Sequence, residues 1–247
     1  MSRQFQEGVA GHLELTSGLP TIGYPFTIAF WMYAPNNDLN QATGFYTNNN
    51  SQSIAEILST EKVIWSNWNG SSWAQTSSQG NSFTNNTWSH VAIVMTSTTD
   101  WRVVLNGDWA NSGTYTSTAR TTGQPSEIRI GDGTSNLSAR MEGLIAHYAI
   151  WSVALSQSEV EGLAGPFSSG SQSGSGDNPL AVQNANLLLY IQIDGTSSPE
   201  PDAKNNYDFT VSGSPPAGGS NPSVDSPPGG GASVAVFAHH YRMQGIQ

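Results

Sequence analysis

Apolar and polar residues alternate with a period of two along much of the chain, which is the spacing of strands with two distinct faces. In Phe26 to Tyr33, Phe26, Ile28, Phe30 and Met32 share one face, and Thr27, Ala29, Trp31 and Tyr33 the other. Trp88 to Met95, Arg102 to Leu105, Glu127 to Ile130 and Leu187 to Ile193 read as further strands. Asn106-Gly107, just before Trp109, is a tight-hairpin dipeptide, because the favoured two-residue turn needs positive φ at both positions. The helical pattern surfaces once. After a mostly apolar strand, Leu144 to Trp151, the run Ser156-Gln157-Ser158-Glu159 forms a capping box that satisfies two orphan backbone donors. Gly165-Pro166 closes the helix, which the pattern places near Gln157 to Leu163. The chain is therefore expected to be all-β, with one short helix.

Between these elements, Asn36 to Gln52 is polar and Asn-rich and reads as a long surface loop. Residues 168–178 form a Gly/Ser linker, and Pro and Gly dominate from Gly213 to Gly231. The apolar density of Leu187-Leu-Leu-Tyr-Ile191 is too high to leave exposed in a separate small unit. Leu187 to Ile193 and Phe209 to Ser212 are thus expected to pair into the same sandwich as residues 3–165. This gives one domain, 1–212, with the linker inside it, and a C-terminal arm, 213–247.

Only 11% of residues are charged, which suits polar-faced sheets and many turns better than a helical bundle. The net charge of −10 argues against nucleic acid or an anionic membrane as partner. No run reaches transmembrane length, and residues 1–20 lack the basic-then-apolar pattern of a signal peptide. The absence of cysteine excludes disulfides and thiolate metal sites.

Five segments occur in a telling order: Phe26-Thr-Ile-Ala-Phe-Trp31, Asn86-Thr-Trp-Ser-His-Val-Ala-Ile-Val94, Val104-Leu-Asn-Gly107, Glu127-Ile-Arg-Ile-Gly131 and Met141 to Leu155. Together they resemble the laminin G-like branch of the concanavalin A-like lectin/glucanase superfamily. That resemblance implies a two-sheet antiparallel jelly-roll sandwich. Asn186 to Gly195, Ser198 to Asp202 and Tyr207 to Gly213 resemble a segment usually found at the start of such domains, here placed after the helix. This permuted order, with a Pro-rich tail behind it, resembles lectin-fold proteins of tailed bacteriophages.

The superfamily contains glucanases, so the resemblance would imply a pair of catalytic carboxylates. Retaining glycosidases need two of them about 5 Å apart. The nearest approach to the laminarinase-type Glu-x-Asp-x-x-Glu is Glu200-Pro-Asp-Ala-Lys-Asn205, in which Asn replaces the second Glu and Pro201 disfavours a central strand. His90 and His147 fall within strand runs, and His239-His240 lies in the tail. No catalytic set emerges, and the chain is expected not to be an enzyme.

Two binding features remain. Trp65, Trp68 and Trp73 cluster with Asn67 and Asn69, and aromatic faces beside amides suit sugars; a hairpin turning at Asn69-Gly70 would equally explain the first and last of the rings. Some laminin G-like domains bind calcium through loop carboxylates, and the resemblance nominates Asp132, Asp194 and Asp202 as oxygen donors, although no cofactor is required. In the arm, Ala232 to Phe237 is apolar and β-prone, so Val234, Val236 and Phe237, with Tyr241, are expected to anchor on another chain by strand addition. The resulting expectation is a non-enzymatic structural protein of a phage virion surface, in capsid decoration or a tail or fibre, self-associating and contacting other virion chains. A carbohydrate-binding module for host attachment and an atypical glycoside hydrolase are the alternatives.

Overall fold

A computed structural model of the chain describes residues 2–5, 11–36, 40–46, 52–57, 62–68, 72–78, 82–115, 124–132, 141–168, 171–195, 198–213, 218 and 220–225. Two seven-stranded antiparallel sheets form a sandwich. The first runs β1 (Arg3–Phe5), β12 (Gly143–Trp151), β3 (Phe26–Tyr33), β8 (Trp88–Met95), β9 (Trp101–Leu105), β10 (Gly113–Tyr115), and β15 (Leu187–Ile191) also pairs with β12. The second runs β16 (Thr210–Ser212), β2 (His12–Leu15), β11 (Glu127–Ile130), β4 (Asn40–Tyr46), β5 (Gln52–Ile57), β6 (Val63–Trp68), β7 (Trp73–Ser77). Residues 187–191 and 210–212 thus join the sandwich as expected. β1 and β15 share one edge of β12 end to end, with Arg3 opposite Ile145 and Ile191 opposite Tyr148.

Alternation places Phe26, Ile28, Phe30 and Met32 between the sheets, packed with Leu13, Phe45, Trp65 and Ile128. Part of the outer face of the first sheet is also dry. Ala29, Ala92, Val94, Val104 and Trp151 lie under Leu155 and under Val160 and Leu163 of the helix α1 (Gln157–Ala164). Small residues on β3 and β8 leave room for the helix, and the Trp151 indole donates to the Val182 carbonyl at 2.8 Å. The capping box is present: Ser156 accepts from the Glu159 amide, and Glu159 accepts from the Ser156 amide at 2.7 Å. Gly165 ends the helix at φ 66°. Among the described residues no helix is long and apolar enough to cross a membrane.

Three expectations are corrected. The polar stretch 36–52 contains a strand, β4, because its polar side chains find partners inside the protein. Thr43 donates to the Arg129 carbonyl at 2.6 Å, and Gln41 donates to the buried Glu56 at 3.3 Å. The linker 168–178 is built into the fold: β13 (Phe167–Ser168) pairs with β14 (Ser171–Gln172). Gly176 packs so closely that a Cβ there would lie 2.2 Å from the Leu163 carbonyl.

The third correction concerns the arm, which does not leave the domain at Gly213. Gly218 donates to the Ser2 carbonyl at 2.6 Å, Val224 bridges Gly176 in parallel, and Asp225 donates to Gly176 at 2.8 Å. Ser223 and Asp225 bond through their backbones to Gln172, Gly176 and Asn178.

Candidate functional site

The tryptophan cluster divides across β6. Neighbouring residues of a strand face opposite ways, so Trp65 and Asn67 point inward and Trp68 outward. Trp65 is fully buried in the core and offers no face to a sugar. Asn67 is likewise buried, accepting from the Ser53 hydroxyl at 2.6 Å. Both are therefore removed from the sugar-binding set. Trp68 and Trp73 stand directly opposite each other in the hairpin, with ring centroids 5.3 Å apart, and Trp73 is 45% exposed. Such cross-strand pairs stabilise hairpins by themselves. Asn69 lies outside the described residues.

The three aspartates are not gathered at one site. Asp132 is buried beside Arg129, whose Nη1 is 3.5 Å away. Asp202, also buried, accepts from the amides of Tyr190, Lys204 and Asn206 at 2.8, 3.1 and 3.1 Å, so it organises its own loop. Asp194 sits near Glu200. Among the described residues, the His, Asp and Glu atoms close enough to share an ion are those of His12, Glu14 and Glu127. The segment nearest to a glycosidase motif is equally committed: Glu200 is held by Arg3 at 2.7 Å and Asp202 by backbone donors.

His90 and His147 are buried sheet residues. Burial drives the His90 pKa down to about 3, with His147 adding repulsion, and burial drives His147 to about 4. Both are neutral near pH 7. His147 sits at a bulge of β12 with φ 52°, its Nδ1 2.7 Å from the Tyr190 hydroxyl. His239 and His240, and the arm residues Val234, Val236, Phe237 and Tyr241, lie outside the described residues.

The sequence reading did not single out the pocket that the fold assembles on the outer face of the first sheet. It encloses about 360 Å³. Its floor is the aromatic pair of Tyr33, last in β3, and Trp88, first in β8, with centroids 5.9 Å apart. Asn86 is held at φ 59° and accepts from the Tyr33 hydroxyl at 3.3 Å. Opposite stand Ser171 and Gln172 of β14, and Asn221, Pro222 and Ser223 of the C-terminal segment. The Gln172 amide grips Ser223 twice, donating to its carbonyl at 2.8 Å and accepting from its amide at 3.1 Å. With Thr87, these residues complete a lining that contains no charged side chain. Two aromatic rings, three amides and several hydroxyls match an uncharged polyol that has both C–H and O–H surface. The volume falls at the small end of ligand pockets.

A two-sheet antiparallel jelly roll is the fold of concanavalin A-like domains. The chain belongs to the concanavalin A-like lectin/glucanases superfamily, whose laminin G-type model matches residues 7–161. No curated protein matches it in sequence. Its fold is similar to that of a native heptameric SAP-like pentraxin from Limulus polyphemus, with 16% identity and a TM-score of 0.56 over 69% of this chain and 84% of that one. It is also similar to a putative carbohydrate binding protein from Bacteroides ovatus, with 16% identity and a TM-score of 0.55 over 91% of this chain and 61% of that one. A third similar fold is domain 4 of AbnA, an extracellular arabinanase from Geobacillus stearothermophilus solved with arabinotriose. There the identity is 19% and the TM-score 0.50, over 65% of this chain and 75% of that one.

Proposed function

We propose that the chain is a non-catalytic carbohydrate-binding module that takes a neutral saccharide in the Tyr33/Trp88 pocket. The observation that carries this reading is the lining itself: a tilted aromatic pair faced by Asn86, Gln172 and Asn221, with no ionic group among the nine residues. A sugar's C–H face packs on the rings while its hydroxyls exchange hydrogen bonds with amides and hydroxyls. An anionic or cationic ligand would lose hydration and gain no counter-charge. The presence of a putative carbohydrate binding protein and of a domain solved with arabinotriose among similar folds supports the reading.

Absence of catalysis follows in this reading from the commitments of Glu200 and Asp202, and binding needs no cofactor. The virion-surface role drew on an arm that leaves the sandwich. With residues 218 and 220–225 engaged on their own domain, that support begins no earlier than residue 226. The phage-type permuted order is supported by the late strands β15 and β16, which complete one sheet each.

The test is a glycan array of neutral and acidic oligosaccharides, probed with the full chain and with Trp88→Ala. The reading expects signal on neutral glycans that Trp88→Ala removes. Signal confined to uronic or sialic acids, or untouched by the substitution, would overturn it.

A further inference from the structure

We infer that His12, Glu14 and Glu127 form a binding site for a first-row divalent cation of the zinc type. His12 and Glu14 project from β2, and Glu127 from the neighbouring β11, on the face of the second sheet turned away from the core. One ligand atom from each lies within 4.8 Å of the others, without any rearrangement of backbone. The imidazole is the decisive group. His12 is only 7% exposed, its Nε2 lies 3.3 Å from the Glu14 carboxylate, and its Nδ1 has no hydrogen-bond partner among the described residues. Nδ1 instead faces the buried Asp132 at 3.9 Å. The ring has Nε2 on Glu14 and Nδ1 3.9 Å from Asp132, outside hydrogen-bond reach, so Asp132 occupies the place of the outer acid in a carboxylate–histidine–metal arrangement without bonding the ring in this structure.

Charge points the same way. Glu14, Glu127 and Asp132 bring three negative charges, and Arg129, bonded to Glu127 and 3.5 Å from Asp132, brings one positive charge. Among the described residues these carboxylates outnumber the one guanidinium beside them, which favours a cation. Arg129 takes one oxygen of Glu127 through Nε and leans over the Tyr46 ring at 4.7 Å. A nitrogen ligand with two carboxylates suits zinc or its neighbours. Calcium and magnesium prefer all-oxygen sets.

The experiment uses the full chain, stripped with chelator and titrated near neutral pH by calorimetry with zinc, calcium and magnesium chlorides in turn. One zinc ion should bind and raise the melting temperature, while calcium and magnesium do neither. His12→Ala and Glu127→Gln should each weaken binding roughly tenfold or more. A His239→Ala/His240→Ala double variant should bind as the parent does, which separates this site from the histidine pair near the C-terminus. Should His12→Ala fail to fold, the visible spectrum of the cobalt-loaded parent supplies the readout, with ligand-field bands of a nitrogen–oxygen site expected. No zinc uptake, uptake lost in the His239/His240 variant, or uptake unchanged by His12→Ala would each overturn the assignment.

Discussion

Arg3 and Glu200 form a buried ion pair in which the guanidinium donates through both Nε and Nη2 to one carboxylate oxygen, at 2.9 and 2.7 Å. The Gly195 amide donates to the same atom at 3.0 Å. Arg3 belongs to β1, and Glu200 exchanges two backbone hydrogen bonds with Phe209 just before β16. The pair therefore ties β1 to the Glu200–Phe209 bridge that leads into β16. Burial pushes the Glu200 pKa up, and Arg3 pulls it back. Removing one partner strands the other in a dry site, so Arg3→Met should cost about 3–5 kcal/mol by urea unfolding. Arg3→Met combined with Glu200→Leu should recover most of that loss. A single variant as stable as the parent would show that the pair contributes little.

The neutral buried histidines make stability sensitive to acid. The folded values of His90 and His147, about 3 and about 4, lie below the usual 6.5. The unfolded chain then takes up protons first as pH falls. Their contribution is full above about pH 6.5 and is lost as pH drops toward 4 and then 3. Each histidine should cost about 1.4 kcal/mol per pH unit within that window. Melting temperatures between about pH 7 and pH 5 should fall, and a His90→Gln/His147→Gln variant should show a flatter profile. An equally steep profile in the variant would place the sensitivity elsewhere.

The C-terminal segment closes one wall of the Tyr33/Trp88 pocket, so where the chain is cut should matter for the proposed binding. Ending the chain after residue 225 keeps Asn221, Pro222 and Ser223 in place and should preserve binding. Ending it after residue 219 should abolish binding while the sandwich stays folded by circular dichroism, because β1 to β16 are intact. Equal affinity of the two truncations would remove the segment from the site.

Strands whose two faces alternate cleanly were readable to the residue: Phe26–Tyr33, Trp88–Met95 and Glu127–Ile130 appear at those bounds. The helix was readable because its capping box is local chemistry. β4 was not, because Gln41 and Thr43 are polar residues whose partners, Glu56 and Arg129, are distant in sequence. Period-two spacing already separates Trp65 and Asn67 from Trp68, but nothing local says which face is the core. The pocket was invisible for a simpler reason. Its walls come from residues 33, 86–88, 171–172 and 221–223, which only the pairing of β3 with β8 and the docking of the C-terminal segment bring together. Asp202 looked like a cation ligand because a sequence does not show backbone amides converging on its oxygens.

The hairpin pair offers an internal control for that pocket. Trp73→Ser removes the exposed ring of the Trp68/Trp73 pair and should cost no more than about 1 kcal/mol of stability. Affinity for a neutral oligosaccharide should be unchanged. A loss of binding in this variant would move the sugar site to the opposite sheet.

Sugar binding in the Tyr33/Trp88 pocket can be read residue by residue by titrating the isotope-labelled chain with a neutral oligosaccharide chosen from the array and following amide and indole resonances. Shifts should concentrate at the Trp88 indole, the Asn86, Gln172 and Asn221 side-chain amides and the backbone of Ser223, with the Trp73 indole unmoved. Shifts centred on Trp68 and Trp73, or no shifts for any neutral sugar, would contradict it.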